Sequence, residues 1–279
     1  MKTKFEFPLC SECGTQGPTQ NDIIGTKYCE NENCNVWFYW KEGCVHHKGK
    51  NNKEIWPNFL IVGAQKSGTT SLFHYLRRHP KIFLSPIKEP AYFSKYRGSV
   101  PFKNKKPTKE QYLELFQNVK DESAIGEVST PYLFDQDSAT NIYKTIPDAK
   151  IIIILRDPTE RAYSRYLENR WNSDISPFGE EIRKELSTYN NEYPDPQDNL
   201  LYYGLYYEKV KRYLDTFGEK NVKILIYEEI FPNNIKQKVE EILEFLGITE
   251  LHDFEEGNFT LSLPNGGSFN QSYARYIKT

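Results

Sequence analysis

The stretch PNFLIVGAQKSGTTSLFHYL, residues 57–76, combines a short apolar strand, a glycine-bearing loop and the start of a helix. Gly63 and Gly68 are separated by four residues, which is the glycine spacing of a phosphate-binding loop. The amides of such a loop and of the following helix form a cradle for an anion. A nucleotide-hydrolysing loop continues with Lys and then Ser or Thr after its second glycine, whereas the lysine here, Lys66, lies inside the loop. The segment therefore predicts an anion site that lacks the usual magnesium-holding arrangement.

The chain after residue 57 alternates apolar strands with helical segments, which is typical of a parallel sheet with crossover helices. Strands are predicted at 59–63, 123–127, 150–155 and 222–227, and helices at 69–78, 158–171 and 234–246. The strand KIIIIL at 150–155 is almost wholly apolar and is predicted to be central. Residues 172–200 are rich in Asn, Asp, Pro and Ser and are predicted to form an irregular insertion. The predicted fold class is α/β, a P-loop-like three-layer fold with helices on both faces of a central parallel sheet.

All five cysteines lie within the first 44 residues. The spacing C-x2-C, fifteen residues, C-x4-C resembles a zinc ribbon, in which two thiolate pairs close a tetrahedral site. We predict a structural zinc ion held by Cys10, Cys13, Cys29 and Cys34. The alternatives are free or disulfide-bonded cysteines, or replacement of one ligand by Cys44, His46 or His47.

Composition and charge exclude several classes of protein. With 38% hydrophobic and 27% charged residues, the chain has the balance of a soluble globular enzyme. A formal net charge of -2 does not indicate a nucleic-acid partner. The N-terminus lacks the apolar run of a secretory signal, and no run of eighteen apolar residues occurs. A cytoplasmic location without a membrane span is predicted, and a trimmed luminal domain is the alternative.

The string GAQKSGTTSL, residues 63–72, resembles the 5′-phosphosulfate loop of sulfotransferases that use 3′-phosphoadenosine 5′-phosphosulfate (PAPS). It most resembles the branch that contains the heparan sulfate N- and 3-O-sulfotransferases and their bacterial relatives. The resemblance implies that Lys66 contacts the bridging oxygen between sulfate and phosphate. It also implies that the phosphate is surrounded by Ser67, Gly68, Thr69, Thr70 and Ser71.

A second string, IIIILRDPTERAYSRYLENR at 151–170, supports the same family. In these sulfotransferases a strand–Arg–helix–Ser unit binds the 3′-phosphate, and the resemblance gives that role to Arg156 and Ser164. Arginine offers a bidentate fork to phosphate, and a serine hydroxyl adds a directional donor. Arg156 as an ordinary surface salt-bridge residue is the alternative. Helix capping and packing are predicted for three neighbours, Asp157, Arg161 and Tyr166.

The string SPIKEPAYFS, residues 85–94, carries the candidate general base. The hydroxyl that accepts a sulfuryl group loses its proton, so a carboxylate within reach assists the reaction. The resemblance implies that Glu89 is the family's catalytic glutamate, because it follows the first helix at about the same spacing and precedes an aromatic pair, here Tyr92 and Phe93, of which Phe93 is the better match. The alternative is that Glu89 only caps a turn beside the following proline. Structural roles are predicted for His74 and His79.

The string GEVSTPYLFD, residues 126–135, resembles the strand end that lines the acceptor side in this family. Many relatives have Glu-Lys-Thr/Ser-Pro-Ala-Tyr there, whereas this chain has Val128 and Ser129, so the lysine contact to substrate is predicted to be absent. Glu127 is either a second carboxylate near the reaction or a structural residue. The turn Gly266–Gly267 is the nearest candidate for the family's loop over the nucleotide.

The predicted domains are a zinc-ribbon-like segment at 1–48, a linker at 49–56 and a sulfotransferase domain at 57–279. The implied reaction moves a sulfuryl group from PAPS to a hydroxyl or amine, expected on a carbohydrate, and releases adenosine 3′,5′-bisphosphate. A basic stretch at 96–109 is either a rim for an anionic polysaccharide or a solvated loop, and it contains Arg97, Lys103, Lys105, Lys106 and Lys109. The rival functions are a P-loop kinase or NTPase, with Asp157 organising magnesium, and a non-enzymatic zinc-ribbon binding module.

Overall fold

The computed structural model describes residues 54–96, 106–172, 175–188, 199–231 and 233–249, and the backbone of two short strands near the N-terminus. These strands, β1 (Lys27–Tyr28) and β2 (Trp37–Phe38), pair antiparallel. The four cysteines predicted to bind zinc lie outside the described residues, so the zinc site and the boundaries of the segment 1–48 stay predictions.

Five parallel strands form the main sheet in the order β4–β5–β3–β6–β7. Their bounds are β3 (Phe59–Gly63), β4 (Ile82–Leu84), β5 (Ala124–Val128), β6 (Lys150–Leu155) and β7 (Val222–Ile226). The predicted parallel sheet is confirmed, but the prediction that the strand at 150–155 is central was wrong. β3 lies in the middle and β6 next to it. Both strands are interior and largely apolar, so hydrophobicity alone does not show which of them is the middle strand.

The described helices surround this sheet. They are α1 (Thr69–Leu76), α2 (Lys109–Glu114), α3 (Pro131–Phe134), α4 (Ser138–Thr145), α5 (Pro158–Asn172), α6 (Phe178–Thr188), α7 (Tyr207–Phe217), α8 (Tyr227–Ile230) and α9 (Ile235–Phe245). The three predicted helices are confirmed to within two residues at each end. Across the described residues, we find no helix that is both long and apolar enough to cross a membrane.

α6 lies within residues 172–200, so the prediction of a wholly irregular insertion was wrong. Phe178 and Ile182 are four residues apart on α6 and pack against the buried side chains of Ala162 and Tyr166 on α5. Two glutamates in the first turn suit the positive end of the helix dipole. Tertiary packing against α5 therefore stabilises a helix whose polar composition indicated a loop.

The two faces of the sheet bury separate cores. On one face, Leu60, Val62 and Ile151 pack with side chains of three helices, among them Leu133, Ile142 and Tyr213. On the other face, Phe59, Ile61 and Ile152 pack with side chains of α1 and α9, among them Leu72, Val239 and Ile242. Alternate residues of each strand point to opposite faces, so this division confirms helices on both sides of the sheet.

A substitution at Gly126 in β5 tests how tightly Phe59 of the neighbouring strand β3 is packed. A β-carbon at this position would lie 2.3 Å from Cζ of the fully buried Phe59 ring. We expect Gly126→Ala to lower the free energy of unfolding by about 1–3 kcal/mol, because the ring has to move within a packed core. Urea denaturation measures the change.

Gly179→Ala is the matched control, because its added β-carbon meets only the Arg183 guanidinium nitrogens at 3.9 Å. Gly179 lies within α6, so alanine is expected to leave stability unchanged or raise it by up to about 1 kcal/mol. Equal losses in the two variants would contradict the steric explanation.

Candidate active site

The loop between β3 and α1 turns through two residues in the left-handed region. Lys66 has φ 67° and Gly68 has φ 80°. A β-carbon on Gly68 would lie 2.7 Å from Cε2 of Phe231, so both the backbone conformation and the close approach require glycine. The Ser67 amide donates to the Ala64 carbonyl at 3.3 Å, which closes the turn. The two-glycine spacing of the sequence thus corresponds to a tight loop at the carboxyl end of β3.

The start of α1 is suited to an anion. Gly68 is the N-cap residue, no side chain caps it, and no acidic residue lies in the first turn. The first amides of a helix have no intrahelical acceptor and carry the positive end of its dipole. Of the predicted phosphate ligands, Ser67 and Thr69 are buried, Ser71 is half-buried and Thr70 is exposed.

Arg156 follows β6 and reaches the loop. Its Nη1 donates to the Lys66 carbonyl at 3.2 Å, and its guanidinium lies over the Tyr227 ring, 4.6 Å from the centroid. Nη2 also lies 3.6 Å from the Glu160 carboxylate, yet the Arg156 side chain is only 15% exposed. The structure therefore brings the two predicted phosphate-binding strings together, and Arg156 is more than a surface salt-bridge residue. Ser164 is half-buried, two turns into α5.

The neighbours of Arg156 have the predicted capping and packing roles. Asp157 Oδ1 accepts from the amides of Thr159 and Glu160, both at 2.9 Å, and so caps α5. Arg161 and Tyr166 are buried against neighbouring elements. Sequence reasoning missed Tyr206, whose hydroxyl donates to the Arg156 carbonyl at 3.0 Å. No local pattern marks that tyrosine, because its contact is made across the fold.

Glu89, the candidate base, is held by hydrogen bonds to both carboxylate oxygens. Oε2 accepts from the Thr130 amide at 2.9 Å and from the Thr130 hydroxyl at 3.0 Å. Oε1 lies 2.6 Å from Nζ of Lys88. The Glu89 amide donates to the Val128 carbonyl at 2.8 Å, and Glu89 has φ 65°. The carboxylate is thus oriented by the segment that follows β5. Glu89 therefore does more than cap the turn beside Pro90, which was the alternative prediction. Thr130 lies in the string GEVSTPYLFD, but nothing in that string indicates its contact with Glu89.

Glu127 is fully buried, at the end of β5. Its carboxylate accepts from the hydroxyls of Tyr112 at 2.8 Å, Tyr132 at 2.6 Å and Ser129 at 2.7 Å. Burial raises the pKa of Glu127 to about 7, although the hydroxyl hydrogen bonds act to lower it. A carboxylate without solvent exposure and with three internal donors favours the structural role over a second reacting carboxylate.

The hydroxyls bound to Glu127 also hold the segment that carries the candidate base. The Ser129 hydroxyl accepts from the Ala91 amide at 2.9 Å, and the Tyr132 hydroxyl accepts from the Phe93 amide at 3.3 Å. Ala91 has φ 53°, which is costly for a residue with a β-carbon. Glu127 is therefore the centre of a network that stabilises the turn after Glu89.

Four of the remaining predicted residues, His74, His79, Lys106 and Lys109, lie in the described part of the chain. His79 is buried and its Nδ1 accepts from the Lys81 amide at 3.1 Å, which fits a structural role, and His74 is exposed on α1. Lys106 lies over the Tyr92 ring at 5.6 Å, and Lys109 pairs with Glu54 at 2.7 Å. The other predictions in this group lie outside the described residues, namely Arg97, Lys103, Lys105 and Gly266–Gly267.

The profile of the family described as "Sulfotransferase domain" matches residues 57–260, well over half of the chain. The chain therefore belongs to the sulfotransferase domain family, and the membership in the PAPS-dependent sulfotransferases that the motifs predicted is confirmed. The alternative of a P-loop kinase or NTPase is not favoured, because the match is to sulfotransferases and Asp157 serves as a helix cap.

Individual relatives agree with the family. The chain is 28% identical over 273 residues to carbohydrate sulfotransferase 15 of Mus musculus, a match that covers 78% of this chain and 48% of that protein. It is 27% identical over 234 residues to the bifunctional heparan sulfate N-deacetylase/N-sulfotransferase 4 of Mus musculus, covering 78% of this chain and 26% of that protein. This chain thus spans half or less of the length of these curated relatives.

A solved structure extends the similarity to three dimensions. The crystal structure of a sulfotransferase from Alicyclobacillus acidocaldarius matches with a TM-score of 0.64 and 37% sequence identity. The match covers 71% of this chain and 85% of that chain. The predicted resemblance to bacterial relatives is confirmed.

The buried carboxylate of Glu127 predicts a specific pH dependence of stability. Its pKa is about 7 in the folded protein, whereas an unperturbed glutamate, as in the unfolded chain, has a pKa of 4.5. Between these two pH values the folded state therefore binds more protons than the unfolded state. Stability is then expected to fall as pH rises through this window, with a slope of up to about 1.4 kcal/mol per pH unit from this group. Glu127→Gln is expected to remove this contribution. Urea unfolding at a series of pH values from 4.5 to 7.5 measures it.

Glu180→Gln is the matched control, because this glutamate on α6 is exposed and undergoes the same chemical change. It is expected to keep the pH dependence of the unsubstituted protein. Parallel stability–pH curves for the Glu127 variant and the control would show that Glu127 does not titrate in this window.

Proposed function

We propose that this protein transfers a sulfuryl group from PAPS to a hydroxyl or amine of a carbohydrate. The observation that carries the proposal is the hydrogen bond from Arg156 to the Lys66 carbonyl, which brings together the two strings that were predicted to bind phosphate. Membership in the sulfotransferase family supports the reaction class. The names of the relatives, a carbohydrate sulfotransferase and heparan sulfate N-sulfotransferases, support a carbohydrate or glycosaminoglycan acceptor. The cytoplasmic location remains part of the proposal.

The residues present fit the two charged ends of PAPS. The loop after β3 and the uncapped start of α1 offer amides to the phosphosulfate. Arg156 offers the 3′-phosphate a partly buried guanidinium whose Nε has no hydrogen-bond partner within the part of the chain that the structure describes. Ser164 would add a hydroxyl from α5. A donor set of amides, a guanidinium and hydroxyls matches phosphate oxygens.

The proposed reaction follows from these positions. Bound PAPS supplies an activated sulfuryl group. The acceptor oxygen or nitrogen forms a bond to sulfur while the bond from sulfur to the phosphate oxygen breaks, and the acceptor proton goes to the Glu89 carboxylate. Lys66 and the loop amides stabilise the negative charge that develops on the leaving phosphate oxygen. Thr130 and Lys88 hold the Glu89 carboxylate in place.

Ligand binding is the first measurement that tests the proposal. Adenosine 3′,5′-bisphosphate without metal is expected to raise the melting temperature by roughly 5–10 °C at a hundredfold excess over its Kd, because it binds only the folded state. Magnesium-ATP is expected to give a much smaller shift. Stabilisation by magnesium-ATP alone would favour the kinase or NTPase function instead.

With labelled PAPS and a panel of glycans, lipids and small alcohols, a carbohydrate is expected to gain sulfate.

Two substitutions separate the chemical roles of Lys66 and Glu89. Lys66→Ala is expected to lower turnover about a hundredfold or more, as for loss of one oxyanion donor. Glu89→Gln is expected to lower it by about 10²- to 10⁴-fold while leaving the affinity for adenosine 3′,5′-bisphosphate nearly unchanged.

Lys184→Ala provides the control, since this exposed lysine lies on α6, where it donates to the Glu181 carboxylate and the Ser176 hydroxyl. Turnover is expected to be unchanged in this variant. Turnover near that of the unsubstituted protein in the Lys66 or Glu89 variant would refute the corresponding role.

A further inference from the structure

Lys66 is paired with a carboxylate that the motifs did not indicate. Its Nζ lies 3.3 Å from Oε1 of Glu168, which is in the third turn of α5. The other oxygen of Glu168, Oε2, lies 2.7 Å from Nη1 of Arg165. Each oxygen of Glu168 is thus matched with one cation. Glu168 follows Ser164 by four residues, so the two side chains lie on the same face of the helix.

The charges around Glu168 keep it ionised. Partial burial acts to raise the pKa of Glu168, but the positive charge of Lys66 and the hydrogen bond and charge of Arg165 outweigh it and hold the pKa below its ordinary value. Glu168 is therefore an anion at neutral pH. It lies next to the lysine that the proposed function assigns to the anionic phosphosulfate.

These two partners compete for Lys66. A carboxylate at 3.3 Å from Nζ and a phosphosulfate oxygen on the same ammonium would bring two negative groups close together, and like charges at such distances repel. The ammonium group sits at the end of a flexible four-carbon stem and can turn from one anion to the other. Glu168 would keep Arg165 as a counter-ion after Lys66 turns away.

We propose that Glu168 is a positioning residue for Lys66, which it holds in the absence of nucleotide and releases when the phosphosulfate binds. The exchange rests on the proposed function, because it requires Lys66 to bind the nucleotide. Lys66 is then oriented toward α5 before the nucleotide arrives. Nucleotide binding has to replace an existing ion pair, which weakens it relative to a site in which Lys66 has no carboxylate partner.

Calorimetric titration with adenosine 3′,5′-bisphosphate tests the exchange. Glu168→Gln keeps the shape of the side chain and removes its charge, so the ion pair no longer has to be replaced. The Kd is expected to fall by about threefold, the scale of one partly exposed ion pair. Glu181→Gln is the matched control, since its carboxylate pairs with Lys184 on α6 and its loss is expected to leave the Kd unchanged.

A double-mutant cycle distinguishes exchange from simple repulsion between Glu168 and the ligand. In a Lys66→Met background, Glu168→Gln is expected to leave the Kd unchanged, because there is no ammonium to release. A merely structural role of Glu168 would not tighten binding in one background and leave it unchanged in the other.

Three results would overturn the inference. An unchanged or weaker affinity in the Glu168 variant would show that the ion pair does not oppose binding. Equal tightening with and without Lys66 would show that Glu168 acts through space on the ligand. Failure of the unsubstituted protein to bind the nucleotide would overturn the proposed function as well, and this result is distinct from the first two.

Discussion

The parallel pairing of β3 with a strand on each side is the constraint on which the candidate site depends. Phe59 is in register with Gly126 of β5 on one side and with Lys150 of β6 on the other. All three strands run in the same direction, so their carboxyl ends meet at one edge of the sheet, where α/β folds commonly bind ligands. The segments that leave this edge carry the glycine loop, Thr130 and Arg156.

Backbone strain within the described residues is concentrated at the same edge. The non-glycine residues with positive φ there are Lys66, Glu89 and Ala91, and a left-handed conformation costs a residue with a β-carbon roughly 1–2 kcal/mol. Each is held by a hydrogen bond from or to its main chain: Arg156 to the Lys66 carbonyl, the Glu89 amide to β5, and the Ala91 amide to Ser129. Strain that surrounding contacts maintain is typical of functional sites.

Two glutamates near this edge show how environment decides the charge of a side chain. Glu127 is fully buried, and the donors of its described hydrogen bonds are hydroxyls rather than cations. Burial therefore raises its pKa. Glu168 is partly exposed between two cations, so its pKa is lowered. Glu127 therefore suits a fixed hydrogen-bond network. Glu168 is the charge that the phosphosulfate replaces in the exchange proposed above.

The sequence by itself determined the strands β3 and β6, the glycine loop, the first helix and the family, because strand hydrophobicity, glycine spacing and motif strings are local patterns. It did not determine the order of the two interior strands or the helix α6, since packing against α5 outweighs a polar composition. Only the tertiary structure decided which side chains meet: Thr130 with Glu89, the three hydroxyls with Glu127, and Glu168 with Lys66. Ser129 and Tyr132 lie within five residues of Glu127, but the other partners are distant along the chain. No spacing rule encodes an ion pair whose partners lie on different elements.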